Sequence, residues 1–136
     1  MLFKNNFYYL SNMFPCSVRV RISGHEYQFT CSEAAFQAVK CPERASEFTE
    51  LDGYAAKRLG KKVQLRADWN AVKLDVMRVI VKAKFDQHPE LMAKLKAQPG
   101  EIVEDNTWGD TYWGRCNGYG QNHLGQILMS VRDHHM

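Results

Sequence analysis

Along the 136-residue chain, apolar and polar positions change period several times, and each change marks an element. The opening carries Phe3, Phe7, Tyr8, Tyr9, Leu10, Met13 and Phe14, broken only by Ser11-Asn12 near its end. Val18, Val20 and Ile22 then alternate with Arg19 and Arg21, Ser23-Gly24 offers a turn, and Tyr27 and Phe29 alternate on the return. Period two on both sides of a turn predicts a hairpin with one buried face. From Ser32 the period lengthens to that of a helix, with Ser32 or Thr30 as the expected cap. Cys41-Pro42 ends it, because the residue before a proline is driven out of the helical region. A short helix is expected from Pro42 to about Leu51, and a further piece from Tyr54 to Leu59, closed by Gly60. Trp69 to Asp86 reads as the longest helix, capped by Asp68, with Trp69, Leu74, Met77, Ile80 and Phe85 as its core residues. Pro89 starts another helix to about Ala97. Glu101-Ile102-Val103-Glu104 alternates like a short strand, and Leu124, Ile127, Leu128 and Val131 have the spacing of a terminal helix.

The helix Ser32-Glu33-Ala34-Ala35-Phe36-Gln37-Ala38-Val39-Lys40 departs from the usual amphipathic pattern. At about 100° per residue, Gln37 falls about 40° to one side of Glu33 and Lys40 about 20° to the other. Everything off that narrow polar stripe is small or apolar, whereas a surface helix has a wide polar face. The helix is therefore expected to be buried almost all round. A carboxylate, an amide and an ammonium in such a place need partners. Two accounts fit the spacing equally: a self-satisfying internal network, or a strip lining a polar ligand's pocket.

From Asp105 to Gly125 the texture changes again. Asn106, Gly109, Asp110, Gly114, Asn117, Gly118, Gly120, Asn122 and Gly125 interleave with Trp108, Tyr112, Trp113 and Tyr119. Loops of this length are uncommon unless they are functional. Glycines allow close backbone approach, aromatics offer stacking faces, and a helix start after such a loop, near Asn122 or His123, is an expected anion site. A tight structural turn would look alike. Lys57, Arg58, Lys61, Lys62 and Arg66 form the most basic window, by default a solvated face, with a phosphate-facing patch as the minority reading. Lys73 and Lys84 lie within the apolar arc of the long helix, where lysines usually snorkel outward but could reach into a pocket. Asn12, inside an apolar segment, has a bland reading as a backbone-bonding side chain.

Composition narrows the picture. Hydrophobic residues make up 45% and charged residues 24%, as in an ordinary soluble globular protein, and the length suits one domain over 1–136. A net charge of +3 permits an anionic ligand but falls short of a dedicated DNA binder. Cys16, Cys31, Cys41 and Cys116 show no paired spacing, so reduced thiols in a cytoplasmic protein are expected, with neither zinc nor disulfides. With no long apolar segment, neither a leader nor a membrane association is expected.

Three features together resemble the NADAR (YbiA-like) family: the opening around Leu10-Ser11-Asn12, the Ser32-Glu33…Gln37…Lys40 helix, and Glu104…Asp110…Trp113-Gly114…Gly118…Gly120…Asn122…Leu124-Gly125…Leu128-Met129…Arg132. Arg66-Ala67-Asp68-Trp69, Met77 and Lys84-Phe85 support it, and the likeness runs over nearly the whole chain. Departures fall at Ala34 and Arg115-Cys116, flanking the expected pocket, which bears on substrate choice. The resemblance implies an α+β fold, a single compact, mostly helical domain with a small N-terminal β-hairpin. It implies N-glycosidase chemistry on ribosylated bases without metal or organic cofactor. The substrates implied are phosphoribosylamino intermediates of riboflavin synthesis, or ADP-ribosylated guanine in nucleic acid.

The chemistry suits the residues. Breaking a ribosyl C–N bond develops oxocarbenium charge, which a nearby carboxylate stabilises or answers by activating water. Glu33, Glu104 and Asp110 are the catalytic candidates, Glu33 first. Lys40 is a fourth, trapping the opened sugar as a Schiff base, balancing Glu33 or touching phosphate. Asn12, Gln37, Lys84, Trp113, Gly114, Gly118, Gly120 and Asn122 are the expected substrate contacts, Trp113 by stacking and Asn122 with the loop amides by binding phosphate or hydroxyls. Opposed to this stand a non-catalytic reader of ADP-ribose or nucleotides and, more weakly, a metal-dependent hydrolase using the three carboxylates. Oligomeric state is not legible.

Overall fold

The hairpin forms where the alternation predicts it. Strand β1, Val18–Ile22, pairs antiparallel with β2, His25–Phe29, in the register Val18↔Phe29 to Ile22↔His25. Ser23 at φ 50° and Gly24 at φ 82° make the two-residue turn, both left-handed as the natural twist of a hairpin requires. Val18, Val20, Ile22 and Phe29 are buried, while Arg19 and Arg21 face outward.

The computed structural model describes residues 1–134. They divide into two compact units, one spanning Asn12–Gln87 and the other joining Met1–Ser11 to the chain from His88 onward. Both are predominantly helical with a small two-stranded sheet, so the fold is α+β and mostly helical.

In the Asn12–Gln87 unit, helix α1 (Ser32–Val39) is packed by α2 (Gly53–Gly60), α3 (Trp69–Gln87), the hairpin and a 3₁₀ turn at Pro42–Phe48. Its burial is as expected: Ala34, Ala35 and Ala38 are fully enclosed, and Phe36 meets Trp69 with ring centroids 5.0 Å apart. Met77, Ile80, Val81 and Phe85 give α3 its core face, each contributing ~1.5–3 kcal/mol by burial. Leu74, expected in the core, is only half-buried. Two expected caps do not form. Position N-cap of α1 is Cys31, without a side-chain cap bond, because the Thr30 hydroxyl donates to the Leu51 carbonyl and the Ser32 hydroxyl is buried. The Asp68 carboxylate is gripped by Arg66 at 2.6 and 3.0 Å, leaving its carbonyl to accept from Ala71 and Val72. Asp52 caps α2 through Ala55 N–H at 2.8 Å.

In the other unit, α4 (Pro89–Ala97) and α5 (His123–His134) pack together, and Arg132 donates to the carbonyls of Gln98 and Gly100 at 2.9 and 2.6 Å. The Tyr9 hydroxyl donates to the Lys94 carbonyl at 3.2 Å. The strand expected at Glu101–Glu104 is not formed. The ladder lies just beyond it, as β3 (Asp105–Asn106) parallel to β4 (Arg115–Cys116). The reason is a side chain: Asn122 donates to Ile102 O at 2.9 Å and accepts from Glu104 N–H at 3.0 Å, taking the backbone groups that a strand partner would use. Among the described residues no helix is long and apolar enough to cross a membrane.

Candidate functional site

The sequence-predicted residues fall into one group in each unit. In the Asn12–Gln87 unit, the stripe on α1 is real. Gln37 Nε2 donates to Glu33 Oε2 at 2.8 Å, a bond that the four-residue spacing sets up. Gln37 is buried, with its Oε1 lacking a hydrogen-bond partner among the described residues, and its amide lies so close to Gly60 that a Cβ there would overlap it. The amide is thereby wedged in place, and with it one oxygen of Glu33. An unpartnered buried carbonyl costs ~1–3 kcal/mol, a strain that folding alone gives no reason to keep.

Lys40 closes α1, its backbone carbonyl accepting from Arg66 N–H at 2.8 Å. Its ammonium lies 5.9 Å from the Phe36 ring centre and 6.0 Å from that of Trp69. Burial pulls Lys40 below the usual lysine range; Glu33 opposes this, while Lys57, Lys61 and Lys73 push it further down. The direction is the one an amine nucleophile needs.

Lys84 does not snorkel. Only 1% of it is exposed, and its ammonium sits 5.1 Å from the Phe85 ring centre and 5.5 Å from that of Phe14. Burial lowers its pKa to about 8, against the opposing fields of Cys16 and Cys31. Cys31 in turn lies near Glu33, whose charge adds to burial in pushing the thiol up. Asn12 is buried, with its carbonyl accepting from Glu33 N–H at 2.9 Å and its amide 3.5 Å from Met77 Sδ, so it anchors the start of α1. The departure at Ala34 falls on a fully buried position.

The second group lies in the loop between β3 and α5, and there the polar side chains serve the backbone. Asp110 Oδ1 accepts from the amides of Tyr112 and Trp113 at 3.0 and 2.9 Å. Asn106 holds the main chain of Asp110 from both sides, donating to its carbonyl at 2.8 Å and accepting from its N–H at 3.0 Å. Asn122, at φ 53°, is the clamp on Ile102 and Glu104 already described. The close approach that the glycines allow is of the chain to itself. A Cβ on Gly114 would strike Glu104, and one on Gly120 would strike Gly114, while Gly118 supplies a turn at φ 81°. The half-buried Glu104 therefore rests against Gly114.

The start of α5 is not the open anion site that the sequence suggests. Its amides are occupied: Asn122 N–H donates to Gly114 O at 3.2 Å, His123 to Tyr112 O at 3.1 Å and Leu124 to Trp113 O at 2.9 Å. The same docking stacks three rings. Tyr112 meets Trp113 edge-on at 4.7 Å and His123 at 4.5 Å, which positions Trp113. Asn106, Tyr112, His123 and Gly60 were not among the candidate site residues, although the first three lie in the loop and helix start that the sequence marks out. Only Asn106 carried a local signal, an amide four residues before Asp110.

The fold has a solved counterpart. The chain is similar to the Escherichia coli protein YbiA, whose NMR structure it matches with a TM-score of 0.81 and 34% identity over 98% of this chain and 82% of that one. It is also similar to the riboflavin biosynthesis protein VVA0006 of Vibrio vulnificus, 36% identical over 134 residues, which is 92% of this chain and 35% of that protein. Another relative, the N-glycosidase YbiA of Escherichia coli K12, is 48% identical over 71 residues, 51% of this chain and 44% of the relative. The chain thus spans less than half the length of these curated relatives. The NADAR domain family matches residues 2–135, and the chain belongs to that family.

Proposed function

We propose that the chain is an N-glycosidase that hydrolyses a ribosyl C–N bond. Relatives named N-glycosidase and riboflavin biosynthesis protein support the class. The observation that carries the residue assignment is the wedge on α1, where Gln37 fixes Glu33 at 2.8 Å beside the half-buried Lys40. Glu33 faces the positive charge that grows at the anomeric carbon, worth most in a water-poor site. Lys40, its amine favoured by burial, adds to the opened sugar at that carbon, and the base departs with its nitrogen electron pair and a proton. Water then cleaves the Lys40 imine, restoring the amine and freeing the sugar, so that one water is consumed per bond broken. In the other unit, Asp110 and Asn122 order the loop that carries Glu104 and Trp113. Phosphoribosylamino intermediates of riboflavin synthesis and ADP-ribosylated guanine are the two substrate classes.

The test is incubation with a phosphoribosylamino pyrimidine and with ADP-ribosylated guanine DNA, following released base and sugar. Borohydride added during turnover should fix a sugar adduct on Lys40, and Lys40→Arg should abolish it along with turnover. Tight binding of both ligands with no release would instead mark a non-catalytic reader.

A further inference from the structure

The end of α1 gathers lysines from three helices. Gln37 lies against Gly60, so Lys61, the next residue, is brought to the last turn of α1, with Lys57 one turn back on the same face of α2. Phe36 meets Trp69 at 5.0 Å, and one turn beyond each stand Lys40 and Lys73. The Lys40 ammonium, 6.0 Å from the Trp69 ring centre, confirms that its side chain points into this junction. Apart from Glu33, carboxylates on these elements are committed elsewhere: Asp68 to Arg66, Asp75 to Arg78 at 2.7 Å, and Glu47 to Arg44 at 2.7 Å. Among the described residues no ion pair joins Lys40, Lys57 or Lys61 to a carboxylate. Like charges collected within a Debye length (about 8–10 Å) repel one another, and at Lys40 Glu33 opposes them. All three neighbouring lysines act on Lys40 by that repulsion.

We propose that Lys57, Lys61 and Lys73, beside Lys40, form a binding site for a compact phosphoryl dianion, the phosphate or pyrophosphate of a small ligand. A point of convergence suits a compact anion, whereas a polynucleotide backbone calls for an extended basic stripe, which a chain of net charge +3 does not provide. Lysines bind phosphate as point charges, and three donors per ammonium match its oxygens without a rigid frame. The site deepens the N-glycosidase reading, and rests on it for the identity of the rest of the ligand: a ribosyl group attached to Lys40 would carry its phosphate toward these lysines. An anion seated there draws Lys40 back toward its ordinary range, so free pyrophosphate should also slow borohydride trapping.

The test uses the full chain and inorganic pyrophosphate in low salt, followed by calorimetry. Saturable binding at one site is expected, weakened at least about tenfold in Lys57→Gln/Lys61→Gln and separately in Lys73→Gln, with Lys61→Arg retaining most of it. Thermal unfolding verifies that each variant is folded, Lys61 being exposed and Lys57 and Lys73 half-buried. No saturable binding, unchanged affinity in the variants, or binding of a single-stranded oligonucleotide but not of pyrophosphate overturns the proposal. With a turned-over substrate, the same variants should raise KM more than they lower kcat. Pyrophosphate binding without any glycosidase activity would leave this site standing and sink the catalytic reading; turnover without pyrophosphate binding would do the reverse.

Discussion

The α1 stripe and the Asp105–Asn122 loop use similar residue types in opposite ways. On α1 the backbone is satisfied by main-chain partners, in the helix and at its ends, so Glu33 and Gln37 bond each other through their side chains and Lys40 is left to answer the local field. In the loop no helix or long ladder serves the main chain, and Asn106, Asp110 and Asn122 become its partners. A polar side chain that completes the backbone is tied to folding. One that stands on an already complete backbone is available for chemistry.

The comparison breaks most sharply at Glu33. Glu33→Gln should lower kcat by about 10²–10³, the effect of removing one charge aimed at the transition state, while the unfolding midpoint moves little. A parallel loss of stability and activity would place Glu33 with the loop residues instead. Asn122→Leu should do the converse and destabilise by ~2–4 kcal/mol in urea unfolding, because it strands the Ile102 carbonyl and the Glu104 N–H. A loss under about 1 kcal/mol would show that the clamp is dispensable.

Lys84 sharpens the contrast from within the packed unit. Its folded pKa of about 8 lies below the 10.5 of a free lysine, so the unfolded chain binds more protons between those values. Native stability therefore rises with pH across that window, and below it the folded state carries the full desolvation cost. Lys84→Met lacks this dependence. Its stability relative to the native chain should fall by about 2–3 kcal/mol between pH 7 and about pH 10, measured by denaturant unfolding of both. A constant difference would mean that Lys84 titrates as a free lysine. The smallest effect is expected at Asp110→Ala, ~1–2 kcal/mol from loss of the carboxylate that bonds two loop amides, read by hydrogen exchange at Tyr112 and Trp113.

Element positions were legible where one force decides them. Apolar spacing and the prolines at 42 and 89 placed the helices to within a few residues, and Ser23-Gly24 placed the hairpin. Caps were not legible, because Thr30 and Asp68 had competing partners, Leu51 at a distance of 21 residues and Arg66 only two residues back. Glu101–Glu104 had a strand's alternation but no strand to pair with, since Asn122 reaches it from 18 residues away in the Glu104 contact. The α1 stripe could be read as a polar face on a buried helix. Its wedge at Gly60 could not, for glycine there looks like an ordinary helix stop. The division of labour inside the loop was equally hidden, because Asn, Asp and Gly suit a ligand cradle and a self-bonded turn alike.

Gly60 touches no substrate in the proposed chemistry and holds no charge, yet any side chain there would collide with the Gln37 amide. A genetic screen that scored only activity would therefore rank this glycine with the catalytic residues, and random variation at position 60 would mostly yield inactive proteins. Loss at position 60 should be suppressed by shortening position 37, as in Gln37→Ala, to the level of the Gln37→Ala single variant. Such a pairwise signature distinguishes a wedge from a reagent, and it could be sought in variant libraries with no structure in hand.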